Sequence, residues 1–145
     1  MSKNILLGIT GSVAASKSEI LFGKVSKNNN VKIITTDAGS KYLTSEFLKN
    51  NEIISSWEDL QGSPHIELAR WAEVFLIYPA TANFISKMAM GIADDLLLST
   101  VLMYNDPIYL APAMHEEMYL NPIIQKNILE LSKNNIVCGP RFGNL

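Results

Sequence analysis

The chain has 145 residues, which is enough for one domain with a buried core and too few for two catalytic domains. Apolar residues make up 48% of the chain and charged residues 18%, a balance typical of a globular protein. The net charge of -2 comes with no basic cluster, so we exclude nucleic acid as a partner. One cysteine, Cys138, and two histidines, His65 and His115, leave too few ligands for a zinc site, and no metal is expected.

Short apolar runs divide the chain and predict β-strands. They cover residues 5–9, 31–34, 74–78, 108–111 and 136–138. Each run is long enough for a strand and too short for a helix. The first run is also too short for a signal peptide or a membrane span, so we expect a cytoplasmic protein with no membrane partner.

Segments with helical periodicity separate these strands. One face of the first segment is apolar at Ala14, Leu21 and Val25, and residues 84–88 repeat the pattern. Because the strands are apolar nearly throughout, the sheet is predicted to be parallel and covered on both faces. The expected fold is α/β, a three-layer doubly wound parallel sheet of the Rossmann-like or flavodoxin-like type, in a single domain over residues 1–145.

Small and polar residues follow four of the predicted strands, at residues 11–12, 35–37, 79–83 and 112–115. In doubly wound sheets, ligands bind beyond the carboxyl ends of the strands, near the point where the strand order switches. We therefore expect the functional site at this edge of the sheet.

The first of these loops, GITGSV at residues 8–13, runs from a strand directly into a helix. Its backbone N–H groups and the helix dipole suit a phosphate, and Ser12 adds a hydroxyl. Gly11 also has a purely structural interpretation, as a turn glycine with positive φ. The G-x-G-x-x-G spacing is absent, although Asp37 lies where a dinucleotide-binding fold has its ribose-binding acid. The loop predicts an anion site, and an NAD-binding domain stays open as an alternative.

A second loop, PATAN at residues 79–83, places hydroxyl and amide groups at the start of a helix. Thr81 is predicted to be the N-cap of that helix. From these residues alone, a purely structural role and a ligand contact are both open.

Four segments together resemble a known family. They are GITGSVAA at residues 8–15, HIELARWA at residues 65–72, PATAN at residues 79–83 and PAMHEEM at residues 112–118. The combination resembles the homo-oligomeric flavin-containing cysteine decarboxylases, in particular their phosphopantothenoylcysteine decarboxylase branch. The resemblance implies an FMN-dependent carboxy-lyase that converts 4'-phosphopantothenoyl-L-cysteine into 4'-phosphopantetheine in coenzyme A biosynthesis. It also implies a homo-oligomer, a trimer or a dodecamer, with FMN between subunits.

The same resemblance assigns the residues that would hold FMN. The residues on the phosphate side are Gly11, Ser12, Val13 and Thr36, and those that line the flavin are Thr81, Ala82, Asn83, Phe84 and Ala113. The segment GIADDLL at residues 91–97 resembles the opening of a family helix, where Asp94 or Asp95 is expected to be the cap.

The chemistry of this family needs an electron sink, because loss of carbon dioxide from a cysteine carboxylate otherwise leaves an unstabilised carbanion. Oxidation of the thiol-bearing carbon by a flavin would create a C=S group that accepts those electrons. By resemblance the catalytic histidine is His65, whereas without the motif a helix cap or surface group is the simpler interpretation. The resemblance assigns substrate binding to Met114 and His115. Many members of the family carry asparagine at the position of His115. Met114 and Met118 also have the spacing of core residues.

The carboxyl-terminal part departs from the family pattern. In the coenzyme A branch a cysteine-bearing flap follows a Gly-x-Leu segment, whereas this sequence stops at residues 143–145. We therefore expect a domain truncated before the flap, and a catalytic cycle that stalls before the product is reduced. Cys138, on the last predicted strand, is expected to be buried. Two alternative functions stay open, a peptidyl-cysteine decarboxylase and a non-catalytic flavin-binding regulatory subunit.

Overall fold

The computed structural model describes residues 1–139, and residues 140–145, where the predicted truncation falls, lie outside the described residues. The sheet consists of β1 (Asn4–Ile9), β2 (Asn30–Thr35), β3 (Ile53–Ile54), β4 (Val74–Ala80), β5 (Tyr109–Pro112) and β6 (Ile136–Val137). The strands lie in the order β3-β2-β1-β4-β5-β6. Every pair of neighbours is parallel, so the predicted parallel α/β sheet is confirmed.

All of the predicted strands are present, and the structure adds β3. This strand has two residues and pairs with β2 at Ile33↔Ile53 and Ile34↔Ile54. The strand order switches beside β1, whose neighbours β2 and β4 follow it on opposite sides. The carboxyl ends of β1 and β4 therefore flank the position where doubly wound folds bind ligands.

The helices of the described part are α1 (Ala15–Val25), α2 (Asp37–Ser40), α3 (Ser45–Asn50), α4 (Pro64–Trp71), α5 (Ala82–Ala89), α6 (Leu96–Met103), α7 (Glu116–Tyr119) and α8 (Pro122–Ser132). A 3₁₀ turn, Trp57–Asp59, precedes α4. Within residues 1–139, no helix is both long enough and apolar enough to cross a membrane.

Helices pack on both faces of the sheet. On one face, α4, α5, α6 and α8 bury a large core around Phe75 and Ile77 of β4. On the other face, α1 packs on β1 and β2 through a smaller core that includes Leu7 and Ile33. Full burial of each such side chain contributes about 1.5–3 kcal/mol, so these two cores hold the strand ends in fixed positions.

The α1 face is covered only in part. An apolar groove runs beside α1 over β4 and β5, and it is lined by residues such as Leu76, Tyr109 and Cys138. Cys138 is exposed, so its predicted burial is wrong. The reason is that no helix of the described part covers β5 and β6 on this face.

Candidate functional site

A cavity of about 410 Å³ lies at the carboxyl ends of β1, β2, β4 and β5. This volume falls within the range of about 300–1,000 Å³ that is typical of small-molecule sites. The cavity brings together most of the predicted site residues, namely Gly11, Ser12, Thr36, Thr81, Ala82, Asn83, Phe84, Ala113 and Met114. It is also lined by residues that the sequence analysis did not assign to the site, namely Thr10, Ala38, Lys87, Asp95, Leu98 and Met118.

The loop between β1 and α1 has free backbone donors. The amide N–H groups of Gly11 and Val13 donate no hydrogen bond within residues 1–139. The hydroxyl of Ser12 accepts a hydrogen bond from the amide of Ala14 at 3.1 Å, which fixes the turn into α1. Free amides at the start of a helix, aided by the helix dipole, bind anions. The side chain of Val13 is exposed, and Val13 does not line the cavity.

Gly11 is required by a close approach between two elements. A Cβ at this position would lie 2.4 Å from the Cβ of Ala38 in α2. Gly11 is not among the described glycines with positive φ, so its interpretation as a left-handed turn glycine is wrong. The loop instead passes so close to α2 that no side chain fits.

Thr10, which the sequence analysis missed, joins two loops of the site. Its hydroxyl donates a hydrogen bond to the carbonyl of Pro79 at 2.6 Å and accepts one from the amide of Thr81 at 3.0 Å. The side chain of Thr10 is buried. It therefore fixes the end of β1 against the start of α5.

The start of α5 provides further free donors. The hydroxyl of Thr81 accepts a hydrogen bond from the amide of Phe84 at 3.1 Å, so the predicted N-cap is confirmed. The amides of Ala82 and Asn83 donate no hydrogen bond within the described part of the chain. Thr36 likewise caps α2 by accepting from the amide of Gly39 at 2.9 Å.

Two charged side chains line the cavity. The Nζ of Lys87 donates a hydrogen bond to the carboxylate of Asp94 at 2.7 Å, and this bond raises the pKa of Lys87. Asp95 caps α6 by accepting from the amide of Leu98 at 2.7 Å. Burial raises the pKa of the Asp95 carboxyl. Of the two acids expected at this helix start, Asp95 is therefore the cap and Asp94 is the counter-ion of Lys87.

The proposed substrate residues follow β5. Met114 is half-buried and lines the cavity, whereas His115 is exposed and does not line it. The Nδ1 of His115 accepts a hydrogen bond from the amide of Glu117 at 3.3 Å and so caps α7. Met118 also lines the cavity and is 50% exposed, so the core interpretation of the methionine pair is wrong for this residue.

His65 lies in the first turn of α4, outside the lining of the cavity of its own chain. It is half-buried, and its imidazole and the indole of Trp57 form an edge-to-face pair with 4.9 Å between ring centroids. The N-cap position of α4 is Ser63, so His65 is not the helix cap that the simpler interpretation favoured.

The sequence of the chain resembles those of named proteins. The family model described as Flavoprotein matches residues 1–143. The coenzyme A biosynthesis bifunctional protein CoaBC of Borreliella burgdorferi is 41% identical over 140 residues, which cover 92% of this chain and 36% of that protein. A probable phosphopantothenoylcysteine decarboxylase of Streptococcus mutans is 38% identical over 142 residues, covering 92% of this chain and 79% of that protein. The chain thus spans 36–38% of the length of the bifunctional relatives.

Solved structures show the same relationship. A PPC decarboxylase mutant complexed with pantothenoylaminoethenethiol superposes with a TM-score of 0.90 at 29% identity, covering 100% of this chain and 86% of that chain. The FMN binding protein AtHal3 superposes with a TM-score of 0.89 at 29% identity, covering 100% of this chain and 84% of that chain. The resemblance drawn from the four sequence segments is confirmed, and the chain belongs to the Flavoprotein family.

Proposed function

We propose that the chain binds FMN and decarboxylates 4'-phosphopantothenoyl-L-cysteine in coenzyme A biosynthesis. The observation that carries this proposal is the cavity at the strand ends, which is lined by all but Val13 of the residues that the family resemblance assigns to FMN. The Streptococcus relative, which the chain matches over 79% of its length, is named for this activity.

The donors of the cavity fit FMN. A phosphate group needs several hydrogen-bond donors, and the free amides of Gly11 and Val13 supply them beside the hydroxyls of Ser12 and Thr36. The absence of a side chain at Gly11 keeps this loop close to α2. A flat ring system suits the small and aromatic side chains that also line the cavity, which are Ala82, Phe84 and Ala113.

The NAD interpretation has less support. Asp37, the acid that would bind a ribose, is exposed and does not line the cavity. The loop lacks the dinucleotide-binding spacing, and AtHal3 is named for binding FMN. We therefore set NAD aside.

When bound, FMN supplies the oxidation that makes an electron sink for the departing carbon dioxide. The chain's own residues bind and orient the substrate and move protons. We assign proton transfer to the imidazole of His65. Because Nδ1 of His115 accepts from the amide of Glu117, the proton of the neutral ring lies on Nε2, which can donate to the substrate carboxylate. Met114 lines the cavity, where its side chain would pack against the substrate.

We also propose that the active form is a homo-oligomer, a trimer or a dodecamer. His65 does not line the cavity of its own chain, and a neighbouring copy that brings its own His65 to the cavity would complete the site. Light scattering of the purified protein tests this proposal, since a fully active monomer would contradict it.

We also propose that the protein acts in the cytoplasm, because that compartment keeps the thiol of the substrate reduced.

Turnover of the FMN-loaded protein tests the function. Carbon dioxide release and the mass of the product from 4'-phosphopantothenoyl-L-cysteine are measured for the wild type and for His65→Asn. The variant should keep its FMN and lose activity by about 10²–10⁴-fold, the usual contribution of a general acid or base. His115→Asn is the control, because asparagine keeps a hydrogen-bond donor and should retain most of the activity.

The same assay separates the other functions. Near-normal turnover by His65→Asn would contradict the role of this histidine. Turnover of peptides with a carboxyl-terminal cysteine, in place of the proposed substrate, would make the protein a peptidyl-cysteine decarboxylase. Bound FMN with no turnover of either substrate would favour a regulatory subunit.

A further inference from the structure

His65 packs against an aromatic neighbour. Its imidazole and the indole of Trp57 form an edge-to-face pair, with centroids 4.9 Å apart and ring planes at 70°. Neither ring nitrogen of His65 has a hydrogen-bond partner within residues 1–139, and Nδ1 is buried. A histidine that transfers protons is commonly oriented by a carboxylate or a carbonyl. Here the described neighbour of the imidazole is an aromatic ring.

The nearby carboxylates do not orient the ring. Asp59, in the turn that carries Trp57, accepts hydrogen bonds from the amides of Ser55 at 2.7 Å and Ser56 at 3.1 Å. These bonds lower the pKa of Asp59 and fix its carboxylate within its own turn. No ion pair joins His65 to Glu58 or Glu67 in the described part of the chain.

We propose that Trp57 is a positioning residue for His65. The indole holds Nδ1–H of His65 against its ring face and away from water, so that Nε2 is the nitrogen that exchanges a proton with the substrate. A buried N–H with no acceptor is costly, and the electron-rich face of an aromatic ring reduces that cost. The catalytic consequence rests on the proposed function of His65, whereas the orientation of the ring does not.

Trp57 can be replaced without breaking its own turn. The turn is held by reciprocal bonds between Ser56 and Asp59, in which the indole takes no part. The indole is also 43% exposed, so little core packing is lost with it. A change in His65 after this replacement therefore reports on the ring contact.

Nitrogen NMR of the isotope-labelled, FMN-loaded full chain tests the proposal. The chain has two histidines, so His115→Asn assigns the ring signals of His65. In the neutral ring of the wild type, Nδ1 should show the shift of a protonated nitrogen and Nε2 that of an unprotonated one. In Trp57→Leu both nitrogens should move toward averaged shifts, because the two neutral tautomers of the ring can then interconvert. Trp57→Phe should restore the wild-type pattern.

Trp71→Phe is the matched control. Trp71 lies at the other end of α4, where its ring packs against the Nζ of Lys32 at 4.5 Å, so this change should leave the His65 signals unaltered. Turnover should follow the NMR result, with kcat lowered by roughly 10- to 100-fold in Trp57→Leu and KM nearly unchanged, since misplaced catalytic groups cost up to about 10²-fold.

Two results would overturn the proposal. One is a wild-type His65 whose Nδ1 is unprotonated in the neutral ring, and the other is Trp57→Leu with unchanged nitrogen shifts. If His65→Asn is inactive and the shifts of Trp57→Leu match the wild type, only the positioning role is wrong. If His65→Asn is active, the proposed catalytic role fails whatever the NMR result.

Discussion

Replacement of Gly11 by alanine tests whether the loop between β1 and α1 binds the FMN phosphate. The new Cβ would lie 2.4 Å from the Cβ of Ala38 and 3.1 Å from its carbonyl carbon. Carbon atoms pack at about 3.5–4.0 Å, so the loop and α2 must move apart. Overpacking of this kind costs about 1–3 kcal/mol. If the loop opens to relieve the strain, FMN affinity falls by roughly 5- to 150-fold, since about 1.4 kcal/mol is a factor of ten.

The assay is a titration of the apoprotein with FMN, followed by flavin fluorescence. Gly23→Ala is the control, because no atom lies within 4 Å of the added Cβ and the residue is exposed in α1. Alanine there should stabilise the helix by about 0.5–1 kcal/mol and leave FMN affinity unchanged. Wild-type affinity of Gly11→Ala for FMN would refute the reasoning.

Two other positions give further predictions. Thr10→Val leaves the amide of Thr81 without its partner and weakens the contact with Pro79, so the free energy of unfolding in urea should fall by about 1–3 kcal/mol. Thr10→Ser should recover most of this loss, and a valine variant as stable as the wild type would contradict the role of the hydroxyl. Asp95→Ala removes the bond to the amide of Leu98 and should cost about 1 kcal/mol, whereas Asp95→Asn keeps the cap. Burial raises the pKa of the Asp95 carboxyl in the folded protein. The protonated carboxyl therefore contributes its full stabilisation below the ordinary pKa of 3.8, and this contribution is lost as the pH rises through the pKa of the folded protein. As the pH rises over that range, the free energy of unfolding of the wild type should fall relative to that of Asp95→Asn. A difference in free energy between the two proteins that stays constant with pH would contradict this prediction.

Much of the fold follows from local sequence. The runs that become β1, β2 and β4 are rich in apolar residues because both of their faces contribute side chains to the two cores. The turn residues at Thr81 and Asp95 follow the capping chemistry of helix starts, so their roles can also be predicted. By contrast, β3 has two residues, which is too short for any periodic signal.

Features that depend on long-range packing escaped the sequence analysis. In the sequence, Thr10 resembles an ordinary residue at the end of a strand. Its hydrogen bonds to Pro79 and Thr81 join segments that are far apart in the sequence, so only the fold shows them. Cys138 has the surroundings of a buried strand residue, yet its exposure depends on which helices cover the sheet. The contact of Trp57 with His65 likewise joins a turn to a helix and leaves no spacing signal in the sequence.

The flavin content of the purified full chain tests the central claim most directly. The protein should be yellow, and denaturation should release a chromophore that mass spectrometry identifies as FMN, with one molecule per chain. A colourless protein that takes up no FMN from solution would contradict the account, whatever its fold.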